Sequence, residues 1–127
     1  MNTGEVRFIG YVVEVSDDLS VIEIDQHFCP GIDKLDMYSE MYVLFWFHLR
    51  DDEMHRKVLK VVPRRHGETE PRGVFASHSP SRPNPIGLTR VEIVSVDGCR
   101  LTVKGLDALE GSPIVDLKAV RTRRARS

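Results

Sequence analysis

The stretch "GLTRVEIVSVDGCRLTVKGL", residues 87–106, is the feature that most constrains the fold. Two runs rich in Val, Ile, Leu and Thr flank an Asp97-Gly98 pair. Such a pair accepts the positive φ angles of a tight type I′ turn, so the stretch reads as a β-hairpin. Other runs repeat the signal. "VRFIGYVVEV" (6–15) alternates in part and "SVIEID" (20–25) alternates cleanly. "MYVLFWFHL" (41–49) is continuously apolar and aromatic, as a central strand would be. "KVLKVV" (57–62), "GVFA" (73–76) and "PIVDLKAV" (113–120) read as further strands. Only residues 33–38 look helical, and that piece is short. The expected class is therefore all-β: a small single-domain antiparallel β-barrel of seven or eight strands with minimal helix. It spans residues 1–120 and is followed by a basic tail, "RTRRARS" (121–127), read as mobile.

Composition supports one soluble domain. The chain has 127 residues, 41% hydrophobic and 29% charged, enough for a single core. No apolar run approaches the length of a membrane span, and "MNTGEVRF" lacks the basic-then-apolar pattern of a signal peptide. The expectation is a cytoplasmic protein without a membrane partner. In that compartment Cys29 and Cys99 are expected as free, buried thiols rather than a disulfide. The net charge of −1 hides a split: residues 1–53 hold twelve acids and three bases, residues 54–127 fifteen bases and seven acids. A basic face suits an anionic partner such as RNA; opposed faces that balance, or attract a second subunit, are the alternative.

Between two β-like runs lies "FASHSPSRPNPIGLT" (75–89). Its prolines fix their own φ and push the preceding residues toward extended geometry, making a stiff connector. Ser77, His78, Ser79, Ser81, Arg82 and Asn84 are thereby held in place, and a stiff loop loses little entropy when a ligand binds. The plainer reading is a loop that caps the barrel. "GLDALEGSPIVDLK" (105–118) sets Asp107, Glu110 and Asp116 around a turn, where they bind a hydroxyl, act as a base or simply shape turns. "FWFH" (45–48) ends an aromatic strand on an imidazole, a pattern more common for a core histidine than for a ligand. "HLRDDEMH" (48–55) reads as a solvated charged loop. Dinucleotide, P-loop, zincin and nucleophile-elbow motifs are absent, and the histidines and cysteines lack zinc spacing, so no metal is expected.

With "GVFASHSPSRPNPIGLTRVEIV" and "LTVKGLDALEGSPIVDLK" the chain resembles the TrmO (YaeB-like) family of S-adenosylmethionine-dependent methyltransferases. Residues 73–118 carry the likeness, "YVLFWFH" and "FIGYV" more loosely. The resemblance implies a small β-barrel without a Rossmann domain, and S-adenosyl-L-methionine bound at a homodimer interface. It implies methylation of N6 of threonylcarbamoyladenosine beside the tRNA anticodon. Carried over by position, it places cofactor contacts at His48, Leu49, His78, Leu88, Lys104, Gly105, Leu106 and Asp107. Arg82, Asn84 and Asp116 stand as substrate contacts, and no catalytic residue is assigned. His78 stands where the family usually has Arg, and Glu40 where it has His. "YVVEVSDDLSVIEI" leaves no room for the family's long proline-containing arm. Two other functions compete: methylation of a small molecule, and non-catalytic binding of a nucleoside or RNA.

Overall fold

The structure is a computed structural model that describes residues 1–62 and 69–120. The basic tail lies outside the described residues. Six antiparallel strands close into a barrel in the order β1, β2, β7, β6, β3, β8. They are β1 (Gly10–Ser16), β2 (Leu19–Ile24), β3 (Glu40–Trp46), β6 (Ile86–Asp97), β7 (Arg100–Lys104) and β8 (Pro113–Ala119). Two short strands, β4 (Lys60–Val61) and β5 (Arg72–Gly73), form a separate ribbon. The all-β barrel expected from the sequence is present, and the long β6 shows no helix over 86–96.

Period-two alternation builds the interior. In β3, Met41, Val43 and Phe45 are buried while Tyr42, Leu44 and Trp46 turn outward. Their inward neighbours include Ile22 and Ile24 of β2, Val91 and Ile93 of β6, Leu101 and Val103 of β7, and Ile114 of β8. β3 pairs with β6 on one side and β8 on the other, so the aromatic run is a central strand as expected. A bulge on β8 sets Leu44 opposite Asp116 and Phe45 opposite Ile114.

Several expectations need correction. The strand over 41–49 stops at Trp46: the Phe47 amide still donates to the Pro85 carbonyl (2.7 Å), but Pro85 has no N–H to return the bond, and residues 48–50 curl into a 3-10 turn. The run 57–62 keeps only Lys60–Val61 as strand. In "GVFA", Gly73 alone is extended and Val74–Ala76 form a 3-10 turn. Residues 33–38 shrink to a 3-10 turn at Leu35–Met37, and a single helical turn, α1 (Glu53–Arg56), stands where a solvated loop was expected. Asp52 caps it by accepting from the His55 amide at 2.8 Å. The β6–β7 turn is centred on Gly98-Cys99, with Asp97 paired to Arg100. Gly98 has φ +62° and Cys99 does not share a positive φ, the pattern of a type II′ rather than a type I′ turn.

The largest correction concerns the cysteines. Cys29 and Cys99 form a disulfide across a sequence separation of 70. The β2–β3 connector folds back onto the hairpin tip and brings the two Cα atoms to 5.5 Å, within bridging range. Nothing in two isolated thiols announces that approach. No helix among the described residues is long and apolar enough to cross a membrane.

Candidate functional site

One end of the barrel holds a cavity of about 380 Å³. Three connections meet there, and each was singled out in the sequence. The 3-10 turn after β3 brings His48, Leu49 and Arg50. The proline loop brings His78 and Pro80, and the β7–β8 connector brings Leu106, Asp107, Ala108, Leu109 and Ser112. Phe45 and Phe47 form the inner wall, with ring centroids 5.2 Å apart at 75°. Gly87 makes this wall possible. A Cβ there would fall on the Phe45 ring, so the cross-strand position must stay bare.

The proline loop is tied by polar bonds. Arg82 turns into its own loop and donates to the carbonyls of Ser77 (3.1 Å) and Ser79 (3.2 Å). The Ser77 hydroxyl donates to the Val74 carbonyl at 3.0 Å. Arg56 of α1 clamps the loop from outside. Its Nε donates to the Pro83 carbonyl (2.8 Å), Nη1 to Asp51 (3.0 Å) and Nη2 to the Asn84 side chain (3.4 Å). The Arg56 guanidinium also lies 5.9 Å from the Trp46 ring, whose Nε1 donates to Asp51 at 3.1 Å. Arg50 reaches the Ser81 hydroxyl at 3.5 Å.

Five of the expected cofactor contacts therefore converge on one cavity: His48, Leu49, His78, Leu106 and Asp107. Three do not line it. Leu88 faces outward from β6 and is half exposed. Lys104 pairs with Asp18 at 3.6 Å. Gly105, at φ +91°, donates to the Asp18 carbonyl and turns the chain toward Leu106. None of the expected substrate contacts is among the residues that line the cavity. Arg82 and Asn84 hold the loop, as described. Asp116 accepts from the Leu117 amide (2.9 Å), pairs with Lys118 (3.4 Å) and lines a second cavity of about 370 Å³. That cavity sits under the β2–β3 connector beside Ile9, Phe28, Leu35, Tyr38 and Leu117. Glu40 opens β3, roughly 20 Å from the cavity end at about 3.3 Å per residue. It receives two bonds from Arg90 (2.8 and 3.2 Å), which hold its carboxyl below the usual carboxylate range.

Sequence reasoning missed Arg56 and Ser112. Arg56 was hidden in a charged run whose capping Asp52 and helical spacing were its only signal. Ser112 looked like one residue of a turn. Among the described residues no group of three or more His, Cys, Asp or Glu side chains is placed to hold a metal ion.

The wall chemistry fits a nucleoside-bearing ligand such as S-adenosyl-L-methionine. Apolar rings, one carboxylate and a few polar tips in a space of this size are typical of small-molecule pockets, which run from roughly 300 to 1,000 Å³.

Comparison with known proteins agrees with this frame. The chain is 48% identical over 103 residues to an S-adenosyl-L-methionine-binding protein of Archaeoglobus fulgidus, covering 81% of this chain and 70% of the relative. It is 40% identical over 107 residues to a Methanocaldococcus jannaschii protein named "Probable S-adenosyl-L-methionine-binding protein", covering 84% and 85%. The crystal structure of TrmO from Pseudomonas aeruginosa superposes with a TM-score of 0.70 at 25% identity over 94% of this chain. This chain spans 55% of that longer one. Residues 12–123 match the family described as the tRNA-methyltransferase O N-terminal domain, and the chain belongs to that family.

Proposed function

We propose that this chain binds S-adenosyl-L-methionine in the cavity between the β3 turn, the proline loop and the β7–β8 connector, and acts as a methyltransferase. The observation that carries the reading is the meeting of His48, Leu49, His78, Leu106 and Asp107 around one space, in a family whose relatives are named for that cofactor. The acceptor we infer is N6 of threonylcarbamoyladenosine in tRNA; the family's description supports tRNA as the substrate class, and the nucleoside and atom follow the family resemblance.

The cofactor, when bound, supplies an electrophilic methyl group on a sulfonium. The residues of the chain supply position and dryness. Phe45, Phe47, Leu106 and Ala108 exclude water, and the clamped loop fixes the entrance before any ligand arrives. Asp107, exposed at the mouth, is placed to accept hydrogen bonds from hydroxyl or ammonium groups. No general base is assigned. Leu49 and Leu109 line the cavity yet remain more than 60% exposed, and Phe75 nearby in sequence to the loop is 78% exposed. Apolar surface of that kind at a site suits cover by a second copy, and a homodimer is part of the proposal.

Mass spectrometry of the denatured protein for carried-over cofactor, with calorimetric titration of S-adenosylhomocysteine, tests the binding. Transfer of labelled methyl to tRNA with and without threonylcarbamoyladenosine tests the acceptor. Cofactor binding with no transfer to either tRNA would move the reading to a small-molecule acceptor. Absence of cofactor binding by the folded protein would favour a non-catalytic nucleoside- or RNA-binding barrel.

A further inference from the structure

We propose that the Ser112 hydroxyl is a ligand-reading group, one that receives or gives a hydrogen bond at the edge of a flat, uncharged heteroaromatic ring held against Phe45 and Phe47. This rests on the cofactor reading above and assigns the orientation in the cavity: base inward, charged end at the mouth.

Three observations carry it. First, Ser112 lines the cavity although it is only 3% exposed, so it belongs to the inner part of the space. His48, Arg50, His78 and Asp107 line the same cavity but are exposed, so the formally charged or titratable groups sit at its mouth. The deep part thus offers aromatic rings and one neutral hydroxyl. That chemistry suits a purine face and edge and disfavours an ammonium or a carboxylate.

Second, the hydroxyl has no hydrogen-bond partner among the described residues, yet no fully buried side-chain polar atom there lacks one. The small remaining exposure of Ser112 is therefore what serves its hydroxyl, and the cavity is the space it borders. Ser20, the other buried polar residue among those described, lies in β2 and borders neither cavity.

Third, the backbone at this position is fixed. The Ser112 amide donates to the Leu109 carbonyl (3.0 Å), its carbonyl accepts from the Val12 amide (2.9 Å), and Pro113 follows directly. A polar group on a rigid strand end is held in position before binding.

The experiment is calorimetric titration of S-adenosylhomocysteine and of adenosine against wild type and Ser112→Ala, with thermal unfolding of both proteins. The expected result is an approximately tenfold loss of affinity for both ligands with an unchanged unfolding midpoint. Wild-type binding that Ser112→Ala leaves intact overturns this inference and spares the cofactor reading. A clear fall in midpoint also overturns it, because the hydroxyl would then have an internal structural role. Failure of the folded wild type to bind S-adenosylhomocysteine overturns the cofactor reading itself, and the inference with it.

Discussion

Two connectors flank β3, and they are secured in opposite ways. The β2–β3 connector, residues 25–39, enters the strand at Glu40. Ile32 and Leu35 are buried there, Phe28 and Tyr38 pack against the core, and Cys29 is bonded to Cys99. The proline loop, residues 77–85, lies at the other end of β3, where Pro85 meets Phe47. Pro85 is its only buried residue; the rest is held by hydrogen bonds from Arg82, Arg56 and neighbouring serines. Burial and a covalent bond hold a segment without regard to fine direction. Hydrogen bonds fix direction while contributing only about 1 kcal/mol each in net terms. The first connector is thus built into the fold, and the second is a directed wall of the cavity, contributing His78 and Pro80 to its lining.

The hardest test of this contrast is to open the disulfide. In the chain-entropy picture a 70-residue loop corresponds to about 4 kcal/mol. We expect the double variant Cys29→Ala/Cys99→Ala, or reduction, to lower the denaturation free energy by up to that amount while the fraction still folded binds ligand normally. Coincident denaturation curves for oxidised and reduced protein would erase the difference between the connectors.

Asp107→Ala comes next. Losing a hydrogen bond to a charged group costs roughly 1.5–3 kcal/mol, so S-adenosylhomocysteine should bind about one to two orders of magnitude more weakly. The unfolding midpoint should not move, since Asp107 is exposed. Equal affinity in titration would place the ligand away from this wall.

A smaller effect, of about tenfold in affinity, is expected for Arg56→Ala. Trp46, the only tryptophan, reports it directly: its fluorescence should change when the guanidinium leaves its face. Arg56→Lys should restore neither signal, because one ammonium cannot reach three differently placed acceptors as the guanidinium does. Full rescue by lysine would reduce the clamp to a simple charge effect.

The smallest effect is on acid stability. Arg90 lowers the pKa of Glu40, and hydrogen bonds from the His55 amide and side chain lower that of Asp52. Each carboxylate binds its proton less readily folded than unfolded. Its stabilisation is therefore present at neutral pH and is lost as pH falls through and below the ordinary carboxylate range. Glu40→Gln with Asp52→Asn should slightly flatten the acid side of a plot of unfolding midpoint against pH. A parallel curve would show that these exposed pairs contribute nothing measurable.

The barrel was legible because alternation is a local property. "MYVLFWFHL" and the hairpin of 87–106 carry their strand character within a few residues. What failed was long-range. Cys29 finds Cys99 only after the connector has folded, and Gly98-Cys99 became the turn centre through the pairing register of Asp97 with Arg100. The cavity walls formed by His48, Leu49, His78, Leu106 and Asp107 were reached through family resemblance, which carries tertiary information that one sequence does not. The same resemblance gave no warning that Leu88 points outward or that Asp116 borders a different cavity. Arg56 stayed hidden because its acceptors, Pro83 and Asn84, lie 27 and 28 residues away.

Phe45 is at once a member of the sealed interior and the back of the cavity. That double membership divides how the site can diverge over generations. Deepening the space means trimming Phe45, which costs about 3–5 kcal/mol for the loss of a buried aromatic ring, and filling position 87 would drive a side chain onto that same ring. Leu49 and Leu109 at the rim can change with no such penalty. Descendants of this barrel should therefore keep the depth of the chamber and vary its doorway, so that novelty in what they accept arises at the entrance.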